Sequence, residues 1–272
     1  MDAPTVDPKY PPSNAAFKLT SGGTRINATL FLAAGAGPHA TVVLLHGRPG
    51  VERNFDLAQA LRRAGYHVLT FNYRGSWGSG GLYSLANTVE DTCNALVYLR
   101  TAEAREKYGV DPARLVLFGH SAGGYAALQA AARDPAVRAV AALAPMNETA
   151  VTEFLQAPDW KKRILAGARA ALDAESGPLR AESAEATFAQ APGYNFLGEL
   201  SGLRGRPVLL IAGTRDTVLP ITYHHEPILK ALRDAGNKGV ETVILDDDHA
   251  FAAHRVAVMR AVVGWMRKTV AP

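Results

Sequence analysis

The chain reads as an α/β protein: a mostly parallel central sheet with helices on both faces and an antiparallel hairpin at its N-terminal side. Three observations carry this. From residue 41 onward, short apolar runs alternate with amphipathic helical stretches, the pattern of parallel strands joined by crossover helices. Ahead of them, residues 16–20 and 25–32 form two strand-like runs joined at Gly22-Gly23, a hairpin signature. At residues 114–125 an apolar strand passes through a sharp glycine-flanked turn directly into an alanine-rich helix.

Taken in order, residues 41–46 are a continuous apolar strand ending at His46-Gly47-Arg48-Pro49-Gly50. A helix follows with Phe55, Ala58, Leu61 and Ala64 on one face. Residues 66–71 form the next strand, and a Gly/Ser-rich loop runs from Asn72 to Gly81. A long amphipathic helix is predicted over 88–108, and Asp111-Pro112 opens the turn into the strand at 115–118. Residues 137–143, 207–212 and 240–245 are three further strands, with helices around 222–235 and 252–268. No internal repeat or low-complexity segment interrupts the pattern.

One segment breaks the alternation. Residues 146–206 contain nothing strand-like; helical stretches run near 152–156, 159–172 and 178–190, separated by Pro158, Gly177-Pro178 and Pro192-Gly193. Inserts at the carboxyl ends of strands in an open α/β sheet lie over the ligand crevice. The segment therefore reads as a small helical lid, against the plainer alternative of an insertion packed to one side. The organisation expected is a flexible arm over 1–15 and one α/β domain over 16–272, with 146–206 as its lid.

Composition bounds the rest. At 272 residues and 48% hydrophobic content the chain can bury one large core. A formal net charge of +4 without a Lys/Arg run gives no nucleic-acid footprint. No apolar run approaches the ~20 residues a membrane helix needs. The lone Cys93 excludes an intramolecular disulfide and falls in line with Val89, Leu96 and Val97, as a buried small hydrophobe does. The Pro-rich stretch from Met1 to Pro12 has no apolar signal-peptide core. It reads either as the start of an exported mature protein or as an ordinary cytoplasmic start with a loose arm. Oligomeric state is left open.

The turn between strand and helix is Gly119-His120-Ser121-Ala122-Gly123. Strand, sharp turn, helix is the context in which Gly-x-Ser-x-Gly forms a nucleophile elbow, with the serine hydroxyl exposed at the sheet edge. Gly119 and Gly123 suit that crowding because they carry no Cβ. The helix start adds unpaired N–H groups that favour an oxyanion beside Ser121.

Across nearly its whole length the chain resembles an α/β-hydrolase, and it is similar to the branch of dienelactone-hydrolase-like and prolyl-oligopeptidase-like serine hydrolases. The resemblance rests on His46-Gly47-Arg48-Pro49-Gly50, Asn72-Tyr73-Arg74-Gly75-Ser76, Gly119 through Gly124, Ala212-Gly213-Thr214-Arg215-Asp216 and Asp248-His249-Ala250-Phe251. No β-propeller precedes the domain in this sequence, which weakens a transfer of oligopeptidase specificity.

That resemblance implies a Ser-His-Asp triad. Serine is a poor nucleophile until a base takes its proton, and histidine titrates in the right range. His249, just after the last strand, fits the chain order Ser…Asp…His, with Asp216 as the orienting acid. Asp248 is the immediate neighbour of His249 and diverges from it, while Asp246 and Asp247 suit loop or helix capping. Five other histidines read as bystanders: His46 and His120 packed at strand ends, His254 on a surface, His224 and His225 solvated on a helix. The oxyanion hole is expected from the backbone N–H of Ala122, and by resemblance from that of Arg48, since Pro49 has none. The Arg48 side chain is expected to end in solvent, with attraction of acidic acyl groups as its alternative fate.

Tyr73, Trp77, Phe154 and Trp160 are expected to line the substrate site, and Tyr73 has a second possible role in the peptidase branch as a hydroxyl oxyanion donor. Arg74 with Glu90 or Asp91 reads as a structural ion pair. The run Asp246-Asp247-Asp248-His249 is not read as a metal site, because adjacent side chains diverge and metal sites gather ligands from separate elements. No metal and no cofactor are expected. The leading expectation is hydrolysis of small-molecule carboxylic esters through an acyl-enzyme. A peptidase or amidase with the same triad stands second, and a non-catalytic hydrolase-like binding module third.

Overall fold

A computed structural model describes residues 7–172, 178–190 and 194–272. Residues 1–6 of the expected arm, and the breakers Gly177, Pro192 and Gly193, lie outside the described residues.

Eight strands form one sheet in the order β1-β2-β4-β3-β5-β6-β7-β8. β1 (Ser13–Ser21) and β2 (Thr24–Leu32) make the antiparallel hairpin, and β2 pairs antiparallel with β4 (His67–Phe71). From β4 onward every pairing is parallel: β3 (His39–Leu45), β5 (Val110–His120), β6 (Ala139–Leu143), β7 (Val208–Gly213) and β8 (Val240–Leu245). All residues of β6 and β7 are buried, which is why those strands read as unbroken apolar runs rather than alternating ones.

Two cores result, one per face. On one, α1 (Phe55–Arg63) and α9 (Arg255–Thr269) cover Val42, Leu44, Val68, Val116 and Phe118. On the other, α2 (Leu85–Leu99), α4 (Ala122–Arg133) and α8 (His225–Asp234) cover Val43, Leu45, Leu69, Leu117 and Leu210. Arg74 ties the hairpin to α2. Its Nε donates to Asp91 at 2.7 Å and its Nη2 to Glu90 at 2.6 Å, while Ser21 Oγ donates to the same Asp91 carboxylate. Cys93 packs against this second core, and burial pushes its thiol up.

Three element expectations are corrected. The helix expected over 88–108 is two helices, α2 and α3 (Ala102–Tyr108), because Thr101 caps a new N-terminus by accepting the Ala104 N–H at 3.2 Å. Asp111-Pro112 lies within β5 rather than before it. The ladder passes from His39↔Val110 to Thr41↔Leu115 across a bulge, so Pro112 is asked for no N–H. The helix expected over 178–190 is absent among the described residues apart from a 3-10 turn at Ala186–Phe188. Pro178 and Arg180 instead trade backbone hydrogen bonds with the 75–83 loop: Trp77 to Pro178, Arg180 to Gly75 and Tyr83 to Arg180, at 2.7–2.9 Å. A long-range pairing has overridden a weak local propensity.

The rest of residues 146–206 does contain helices, α5 (Glu148–Phe154), α6 (Pro158–Ala171) and the one-turn α7 (Phe196–Glu199). Among the described residues no helix is long and apolar enough to cross a membrane.

Candidate active site

Four loops leave the carboxyl ends of parallel strands on the same side: after β3, β5, β7 and β8. Three of them contribute Arg48, Ser121, Ala122 and His249 to the lining of a cavity of about 470 Å³.

Ser121 sits at φ 57°, ψ −122°, in the positive-φ region that a side chain enters only when its surroundings force it. The forcing is visible in its neighbours. A Cβ on Gly119 would come within 2.0 Å of the Gly123 carbonyl oxygen, and one on Gly123 within 2.4 Å of the Leu45 carbonyl oxygen. Only glycine lets strand, elbow and helix approach so closely. The Ser121 N–H donates to Leu143 of β6, and its carbonyl accepts from Tyr125 and Met146, pinning the residue on both sides. Gly47 completes the fit, since a Cβ there would meet Ser121 Cβ at 2.9 Å.

His249 Nδ1 stands 2.6 Å from Asp216 Oδ2. Asp216 is buried, and its Oδ1 accepts the N–H groups of Val218 and Leu219 at 2.8 Å each, so the carboxylate is held by three partners. Gly213 makes the meeting possible: a Cβ there would strike the Asp247 carbonyl at 2.5 Å, so the β7 end packs directly against the loop bearing His249. His120 holds that loop from the other side, its Nε2–H donating to the His249 carbonyl at 2.9 Å, with the rings 4.8 Å apart. Burial drives the His120 pKa down to about 3, leaving it a neutral donor. Among the described residues neither Ser121 Oγ nor His249 Nε2 hydrogen-bonds within the protein, nor do the backbone N–H groups of Arg48 and Ala122.

The four residues 246–249 diverge as expected for consecutive side chains. Asp246 accepts from Thr214 and Arg215, Asp247 pairs with His254 at 3.0 Å, Asp248 accepts the Ala250 and Ala252 N–H groups, and His249 faces Asp216.

Phe154 and Trp160 line the cavity, stacked on each other with centroids 4.7 Å apart. Tyr73 and Trp77 do not line it. Tyr73 is fully buried behind the β3 loop, its hydroxyl donating to the His46 carbonyl at 3.3 Å. A phenol turned into that carbonyl is engaged there as a donor. Trp77 lies outside, its Nε1–H donating to Pro49 at 2.8 Å and its ring under the Arg53 guanidinium. His46 donates from Nδ1 to the Gly47 carbonyl and is held near pKa 4 by burial, so it is a neutral brace for the β3 loop.

Two further expectations fail. His224 and His225 are buried, not solvated, and burial lowers both to about 4. His224 lines the cavity, its Nδ1 accepting the Asn147 N–H at 3.0 Å. That bond places the ring proton of the neutral form on Nε2. Nothing local in the sequence marks this, because Asn147 is 77 residues away. The Arg48 side chain is not released to solvent. Its Nη1 donates to Thr187 at 3.1 Å and its guanidinium lies 4.2 Å above the Phe188 ring.

A mostly parallel, doubly covered sheet that brings a strained serine and an aspartate–histidine pair to one crevice is the architecture of an α/β-hydrolase. The chain belongs to the serine aminopeptidase S33 family, whose model matches residues 36–178. It is 30% identical over 217 residues to an uncharacterized protein of Escherichia coli K12, covering 77% of this chain and 64% of that one. It is 30% identical over 222 residues to an acylamino-acid-releasing enzyme of Arabidopsis thaliana, covering 76% of this chain and 27% of that one. The chain thus spans less than two thirds of these relatives. An esterase of Pyrococcus furiosus shares its fold with a TM-score of 0.68 at 17% identity, over 97% of this chain and 95% of that one.

Proposed function

We propose that this chain hydrolyses small carboxylic esters through an acyl-enzyme on Ser121. The observation that carries the reading is the 2.6 Å contact between Asp216 and His249 on the loop that shares a cavity with the strained Ser121. Ser121 Oγ attacks the ester carbonyl while His249 Nε2 takes its proton, and Asp216 holds the tautomer and stabilises the imidazolium. The oxyanion that forms is received by the backbone N–H groups of Ala122 and Arg48. As the carbon–oxygen bond of the leaving alcohol breaks, His249 returns the proton to it; water then repeats the sequence on the acyl-enzyme. In this reading residues 16–272 are one catalytic domain, and 146–206 form the lid that supplies Phe154, Trp160 and Phe188 to the pocket.

Amide cleavage uses the same groups, and the family's description favours it as a second reading. The lining argues against an aminopeptidase: a free N-terminal ammonium needs a carboxylate, whereas the charged groups lining the cavity among the described residues are Arg48 and Arg163, with no Asp or Glu. Labelling by a fluorophosphonate, abolished in Ser121→Ala, tests the nucleophile. Matched acyl 4-nitrophenyl esters and aminoacyl anilides test the reaction, and an anilide with higher kcat/KM than every ester would reverse the order.

A further inference from the structure

We infer that the cavity selects esters carrying a second, ionised carboxylate, and that the Arg48 guanidinium receives it. This rests on the ester-hydrolase reading of the same cavity.

Arg48 differs from the other partly covered arginines in how few partners it has. Arg74 meets Glu90 and Asp91, Arg255 meets Asp56, Arg100 meets Asp134, and Arg114 meets Asp111, each within 2.7 Å. Arg53, Arg62 and Arg206 meet no carboxylate but spread two or more N–H bonds over neutral oxygens, Arg206 over four backbone carbonyls. Among the described residues Arg48 meets no carboxylate. One of its five N–H donors is used, on Thr187, and its face is spent on Phe188. Burial lowers its pKa, the mark of a cation stripped of water without a counter-charge. The Tyr83 hydroxyl is likewise buried and without a partner among the described residues, and burial keeps it neutral by raising its pKa to about 12. A second cation, Arg163, lies over the Trp160 ring on the cavity wall. The pocket is therefore apolar in its aromatic and aliphatic lining, positive where it is charged, and holds an unused planar fork suited to a carboxylate.

Arg48 also joins the β3 loop to the 187–188 segment, so a purely structural role must be told apart. A structural latch would alter neutral and acidic esters by the same factor, whereas a carboxylate receptor changes their ratio. Two substrate pairs locate the anion. On the acyl side the pair is mono-4-methylumbelliferyl glutarate and 4-methylumbelliferyl butyrate. On the alcohol side it is 4-butyryloxybenzoate and phenyl butyrate. In at least one pair, Arg48→Gln lowers the acidic-to-neutral ratio of kcat/KM by roughly tenfold or more, and Arg48→Lys recovers part of it. A separate arm does not depend on turnover. In Ser121→Ala protein, calorimetry gives tighter binding of monoethyl glutarate than of diethyl glutarate, and adding Arg48→Gln removes the difference. Unchanged ratios in both pairs, with the calorimetric difference absent or insensitive to Arg48, would overturn the inference. Failure of wild type to cleave any ester would instead sink the ester reading, while the calorimetric arm still decides the carboxylate.

Discussion

Asp216 and His249 lie 33 residues apart in the chain and 2.6 Å apart in space, because β7 and β8 are adjacent parallel strands and only Gly213 separates their outgoing loops. The nearer acids are occupied elsewhere, Asp247 with His254 and Asp246 with Thr214 and Arg215.

The brace on this pair is His120. Its replacement by Phe keeps an aromatic ring but removes the hydrogen bond to the His249 carbonyl. A loop shift of about 1 Å then costs kcat on the order of a hundredfold, with KM for a neutral ester little altered. Steady-state kinetics on a folded, monodisperse variant checks this. A change in KM alone would show that the bond does not position the base.

Asp91 is fully buried against Arg74, so its loss takes away the buried partner of that cation and leaves only the half-exposed Glu90. Asp91→Ala should cost about 3–5 kcal/mol in urea unfolding. The folded fraction should retain kcat, since the ion pair lies away from Ser121. A loss below ~1 kcal/mol would mean that solvent reaches Arg74.

Five buried histidines set the acid side of stability. His46, His67, His224 and His225 are held to about 4 and His120 to about 3, all mainly by burial, against about 6.5 for a histidine in the unfolded chain. Below pH 6.5 the unfolded chain binds protons that the native one refuses. Their contribution is thus complete above 6.5 and falls away as pH drops towards 4, each adding a slope of up to ~1.4 kcal/mol per pH unit. Urea midpoints between pH 7.5 and 4.5 measure it. His67→Gln, far from the cavity, should flatten the curve, and a pH-independent midpoint in wild type would contradict the account.

Phe154 and Trp160 stack on each other in the cavity wall, with Phe154 edge-on to Tyr223. Phe154→Ala should shift acyl-chain preference towards longer esters by more than it lowers Tm. Unchanged preference with clear destabilisation would make the 146–206 segment a structural insert and not a lid.

Much of this was legible in the chain because it is local. The elbow around Ser121 needs only a strand, two glycines and a helix start, and all lie within a dozen residues. The pairing of Asp216 with His249 followed from chain order and from the divergence of neighbouring side chains. What escaped depends on contacts that no window contains. Tyr73 turns inward because His46, 27 residues earlier, offers a carbonyl. Arg48 is drawn under residues 187 and 188, 139 positions later, and His224 is buried by the Asn147 N–H. The 178–190 stretch gave up helix for the backbone of a loop a hundred residues upstream.

The central claim is that His249 draws its orientation from Asp216, and kcat for three variants on one ester tests it. Asp216→Asn should lower kcat by about 10³–10⁴-fold with the fold intact by circular dichroism, while Asp247→Asn and Asp248→Asn each cost far less. A near wild-type kcat in Asp216→Asn would contradict it.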